Sequence, residues 1–148
     1  MSTDGELRSV REAIYDAIVK RGVAPSTDDI ADACAMTEPR VRKVVRALAD
    51  AHVIVLRPGS MDLWAAPPFS AVPSGFKVRA QSGSWFAPCA WDAFGIPAAL
   101  QADAEIDAVC AETGAPIRCG VRAGREFGSA VIHLLVPAAL FWDDIIYT

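Results

Sequence analysis

The sequence predicts an α+β chain: a winged-helix-like module of three helices and a β-hairpin, then a mixed α/β domain with a small, mainly antiparallel sheet. Three observations carry this. Apolar residues recur at helical spacing in three successive segments ahead of residue 50. A β-rich run with a turn cluster follows them. A proline-rich stretch then leads into segments that alternate like strands.

The first helix spans residues 6–21, with Leu7, Val10, Ile14 and Ile18 on one face and Gly22 as its stop. Ser26 or Thr27 caps a short second helix, with Asp28 and Asp29 in the first turn and Ile30, Ala33 and Cys34 on its apolar side. Thr37 opens a third, with Pro39 in its first turn and Val41, Val44, Val45 and Leu48 as its buried stripe. Val53–Leu56 and Met61–Trp64 read as two strands around the turn Arg57-Pro58-Gly59-Ser60. The predicted organisation is a module over 1–65, a linker over 66–75 and a second domain over 76–148. In that domain Phe76–Arg79 reads as a strand and Pro88–Leu100 as a helix interrupted by Gly95 and Pro97. Ile106–Cys110 and Pro116–Val121 read as a hairpin around Thr113-Gly114. Ser129–Val136 reads as an apolar strand, and Pro137 opens a last helix or turn running through Thr148.

The chain has 148 residues, is 53% hydrophobic and 22% charged, and so carries enough apolar material for a packed core. Its first six residues are polar and acidic, unlike a signal peptide. Its longest apolar run, Ala130–Trp142, is shorter than the roughly 20 residues that span a bilayer. A soluble cytoplasmic protein without membrane association is expected, with its four cysteines as free thiols. None of Cys34, Cys89, Cys110 and Cys119 forms a Cys-x-x-Cys pair, which argues against a structural zinc site. His52 and His133 are isolated on apolar segments and read as structural.

The third helix carries Arg40, Arg42, Lys43 and Arg46, the face that a winged helix lays in a major groove. Residues 1–65 nevertheless hold nine Lys and Arg against ten Asp and Glu, a net charge of −1. Phosphate contact needs a local positive excess, so DNA binding is not expected and the module reads as scaffold.

Chemistry concentrates at Cys89-Ala90-Trp91-Asp92. Spacing of three puts the cysteine and the carboxylate on one helical face. Pro88 suits a first turn, which sets Cys89 near the helix N-terminus, where the dipole favours a thiolate. A thiolate is the donor that soft metals prefer, and a carboxyl beside it can hold or deliver a proton. Cys89 is therefore expected to be the most reactive of the four thiols. Alone, Cys-x-x-Asp is a weak signal, because free cysteine is most often core.

Three motifs in register add to it. Cys89-Ala90-Trp91-Asp92 is followed by Pro97, then by Cys110 and Thr113-Gly114-Ala115-Pro116, then by the apolar run Val131–Val136 ending in Pro137. In this order and spacing, over about residues 85–137, the chain resembles the organomercurial (alkylmercury) lyases, which also begin with a winged-helix-like module. The resemblance implies protonolysis of a carbon–mercury bond, giving a hydrocarbon and Hg(II), in the service of mercuric resistance. It implies Cys89 as the mercury-binding thiolate, Asp92 as proton shuttle and second metal-site residue, and Cys110 as core. It further implies no resident cofactor, Hg(II) as bound product, and a thiol reductant or mercuric reductase as its acceptor. The lyases place a second catalytic cysteine about a dozen residues after the proline of the apolar strand, and Phe141–Thr148 contains none. Either the chain stops just short of that thiol or it acts without it, with Cys119 the candidate stand-in. The alternatives to an enzyme are a non-catalytic relative that binds or senses a thiophilic metal, and a winged-helix transcription regulator.

Overall fold

The computed structural model describes residues 3–147 and is α+β, in two compact units, Met1–Pro67 and Pro68–Thr148. Helix α1 spans Asp4–Arg21. It starts two residues before the predicted residue 6, because Thr3 and Glu6 form a capping box that satisfies exposed N–H groups at the helix start. Helix α2, Thr27–Cys34, uses the same device through Ser26 and Asp29. Helix α3, Glu38–Asp50, has Pro39 in its first turn. Val10, Ile14 and Ile18 of α1 and Val41, Val44, Val45 and Leu48 of α3 are all buried, together with Ile30 of α2. These residues form the core of the first unit.

Strands β1, Val55–Leu56, and β2, Leu63–Ala66, pair antiparallel around the turn at Arg57–Ser60. Both begin two residues later than the β-prone runs suggest. The chain is still leaving α3: His52 sits at φ 60° and the Val53 N–H donates to the Leu48 carbonyl at 2.9 Å. The Tyr15 hydroxyl donates to the Pro67 carbonyl at 2.8 Å and ties α1 to the end of the unit.

The second unit is an antiparallel sheet, with helix α4 (Ala90–Leu100) on one face. Its strands are β3 (Phe69–Ser70), β4 (Phe76–Ala80), β5 (Gly83–Ala87), β6 (Ala104–Val109), β7 (Pro116–Arg122) and β8 (Arg125–Phe127). They lie in the order β3-β5-β4-β6-β7-β8. Strand β3 falls inside the proline-rich stretch. Phe69 is buried edge-on to Trp85 at 6.1 Å between ring centroids, which draws this segment onto β5. The β6–β7 hairpin turns at Thr113-Gly114, as the spacing predicts. Helix α4 runs unbroken past Gly95 and contains Pro97, which lacks an N–H for the preceding turn. The face of the sheet away from α4 carries a ladder of ion pairs. Arg79 pairs with Asp107 and Glu105, Arg118 with Asp107, and Arg122 with Glu105.

The apolar run Ser129–Val136 is not a strand. It finds no sheet partner, and Val131 and Leu135 are left 90% and 68% exposed. Its composition favours a strand, but a strand exists only where a neighbour supplies the ladder. Beyond it Ala138–Asp143 forms a 3₁₀ helix, and the predicted end at Thr148 lies outside the described residues. Among the described residues no helix is long and apolar enough to cross a membrane.

Gly120 fixes the packing of β6 against β7. It sits at φ 152°, and a Cβ there would lie 2.1 Å from the Ala104 carbonyl oxygen. Gly120→Ala is expected to cost at least about 1–3 kcal/mol from backbone strain alone. That is a drop of roughly 4–20 °C in thermal midpoint, measurable by calorimetry. An unchanged midpoint would contradict this packing.

Candidate active site

Cys89 is the N-cap of α4, extended at φ −149° and ψ 175°. Its Sγ accepts the Asp92 backbone N–H at 3.4 Å and lies 3.5 Å from Asp92 Oδ2, to which the thiol donates. The arrangement resembles a capping box with sulfur in place of a hydroxyl oxygen. Capping geometry, with Cys89 at the N-cap and Asp92 in the first turn, is thus what brings the two predicted side chains within contact distance.

The electrostatics differ from the sequence expectation. Burial pushes the Cys89 thiol above its ordinary value, and the neighbouring Asp92 charge adds to this. The N–H groups of the helix start oppose it but do not prevail. Burial likewise raises the Asp92 carboxyl, partly offset by the hydrogen bond from Cys89. The helix terminus does not leave a resting thiolate, because desolvation penalises any anion at this spot. Both groups therefore hold a proton to higher pH than their exposed counterparts would.

Cys110 is not core. It is half-buried at the β6–β7 turn, and its thiol is lowered by the Thr113 side chain and by backbone N–H groups of Thr113 and Glu112. Sequence reasoning missed this, although a cysteine beside a Thr-Gly turn is the available signal. Cys119 is buried on β7 with Gly128 packed against it, and burial raises both Cys119 and Cys34. All four cysteines are free thiols. At neutral pH an alkylating reagent should therefore label Cys110 first. Cys89 should catch up only as pH rises through its elevated value. Peptide mapping over a pH series checks this, and labelling of Cys119 ahead of Cys110 would contradict it.

On α3, Arg40 pairs with Glu6 at 2.5 Å and holds that carboxyl down to about 2. Arg42 pairs with Glu38 at 2.7 Å, and Arg46 reaches Met61 Sδ at 3.3 Å. Among the described residues no cluster of three or more His, Cys, Asp or Glu side chains is placed to hold a metal ion.

The family model for alkylmercury lyase matches residues 69–148, more than half of the chain. No curated protein matches it. Among solved structures the chain is similar to the mercury-bound form of MerB2, with 25% identity and a TM-score of 0.65. That similarity covers 84% of this chain and 59% of the other, so the chain spans less than two thirds of that relative.

Proposed function

The chain belongs to the alkylmercury lyase family, and on that premise we propose that it cleaves carbon–mercury bonds by protonolysis at Cys89 and Asp92. The observation that carries this reading is the 3.5 Å approach of the Cys89 thiol to the Asp92 carboxylate, both raised by burial. The organomercurial cation displaces the thiol proton and forms a sulfur–mercury bond. Asp92 accepts that proton, for which its elevated affinity suits it. It then delivers the proton to the mercury-bound carbon. The carbon–mercury bond breaks with its electron pair going to carbon, the hydrocarbon leaves, and Hg(II) remains on Cys89. A thiol reductant or a mercuric reductase then takes the ion, because only another soft donor competes with the thiolate.

The alternative reading is a relative that binds or senses a thiophilic metal at Cys89 without turnover. Incubation with phenylmercury and detection of benzene separates the two: release beyond the buffer rate supports the lyase, and stoichiometric binding with no benzene supports the binder. The pairing of Arg40 and Arg42 with acidic neighbours supports reading the first unit as scaffold, a winged-helix-like module without a DNA role.

A further inference from the structure

Gly95 lies inside helix α4, three residues after Asp92 and so on the same side of the helix. Alanine is the better helix former at such a position, so the glycine needs another reason. Packing supplies it. A Cβ at Gly95 would lie 3.0 Å from Pro68 Cβ and 3.7 Å from Pro68 Cγ, and the first of these is closer than ordinary contact. Only glycine lets the proline seat this closely on the helix. The same point lies 3.9 Å from Asp92 Oδ1. The notch left by the missing side chain therefore has the proline on one side and the carboxylate on the other.

Pro68 is anchored by the residues that follow it. Phe69 is buried against Trp85, and Ser70 pairs with Phe86 of β5. The carboxylate is held less firmly. Its Oδ2 lies 3.5 Å from the Cys89 sulfur, and among the described residues no hydrogen bond fixes Oδ1. We propose that Pro68, seated in the Gly95 notch, is a positioning residue that keeps the Asp92 carboxylate turned toward Cys89 for the proton relay. The proposal rests on Asp92 acting in that relay.

The physical reason is what replaces the ring when it is gone. Proline carbon offers Oδ1 no hydrogen bond, so nothing on that side competes with the thiol. An open notch admits water, which hydrogen-bonds the carboxylate strongly and draws it away from sulfur. A shift of about 1 Å at a reacting group costs up to about 100-fold in rate, so a loosened carboxylate is enough.

The test uses the full chain with Cys34, Cys110 and Cys119 replaced by serine. Pro68→Gly opens the notch. Adding Gly95→Ala to it puts a methyl group where the ring was, in ordinary contact with Oδ1. Benzene release from phenylmercury gives the rate, and the infrared S–H stretch of Cys89 reads its hydrogen bond to the carboxylate without any turnover. P68G should release benzene roughly 10- to 100-fold more slowly while phenylmercury still attaches to Cys89. Its S–H band should move toward that of a free thiol, and P68G/G95A should recover both band and rate. G95A alone, which helix propensity helps to fold, should keep the native band because its methyl takes over the contact. A native band and rate in P68G, a P68G defect that G95A leaves unrepaired, or a lost band in G95A each overturns the positioning role alone. No benzene from the parent sinks the catalytic reading, and the relay role of Pro68 with it.

Discussion

Replacing Cys89 by serine should abolish tight Hg(II) binding at this site while leaving the fold as stable as before. The two consequences have different physical origins. A hydroxyl is a hard, weak donor for a soft ion, so affinity falls by orders of magnitude. As an N-cap, however, serine is among the best residues, and its oxygen can accept the Asp92 N–H that Cys89 Sγ now accepts at 3.4 Å. A side chain placed only to cap α4 would lose nothing on this exchange. Hg(II) affinity is best measured by competition against a small thiol, in a background where Cys34, Cys110 and Cys119 are serine. Calorimetry of the same proteins checks the stability arm. Unchanged affinity would make Cys89 a structural cap.

Asp92→Ala should separate binding from turnover. The thiol keeps its sulfur, so organomercurial still attaches. The carboxylate that takes the thiol proton and passes it to carbon is gone, and loss of such a relay costs about 10²–10⁴-fold in rate. Burial raises the Asp92 carboxyl, so the native protein holds this proton to higher pH than an exposed aspartate would. Protonolysis by the native chain should fall as pH rises through the elevated value of the Cys89 thiol, which supplies the proton that Asp92 relays, and D92A should stay low throughout. Hydrocarbon release followed by gas chromatography across pH reads both. A D92A protein with native rates would remove Asp92 from the chemistry.

Much of this was legible in the sequence because it is local. The helical stripes of α1 and α3, the β6–β7 hairpin and the convergence of Cys89 with Asp92 all follow from spacing within one element. What was hidden depends on partners distant in sequence. Strand β3 was masked by prolines and exists because Phe69 finds Trp85. Ser129–Val136 has the composition of a strand and no ladder to join. The thiol was misjudged for the same reason: a helix N-terminus is visible in sequence, whereas the burial that outweighs it is not. Cys110 reversed in the opposite direction, from expected core to a half-buried thiol held low by its turn.

The central claim is that Cys89 and Asp92 act as one site on a carbon–mercury bond. It is tested most directly by native mass spectrometry after phenylmercury is added to three chains in the background lacking the other cysteines. The parent should gain the mass of mercury alone and release benzene. D92A should gain phenylmercury intact, and C89S should gain neither. Intact phenylmercury on the parent, indistinguishable from D92A, would contradict the account.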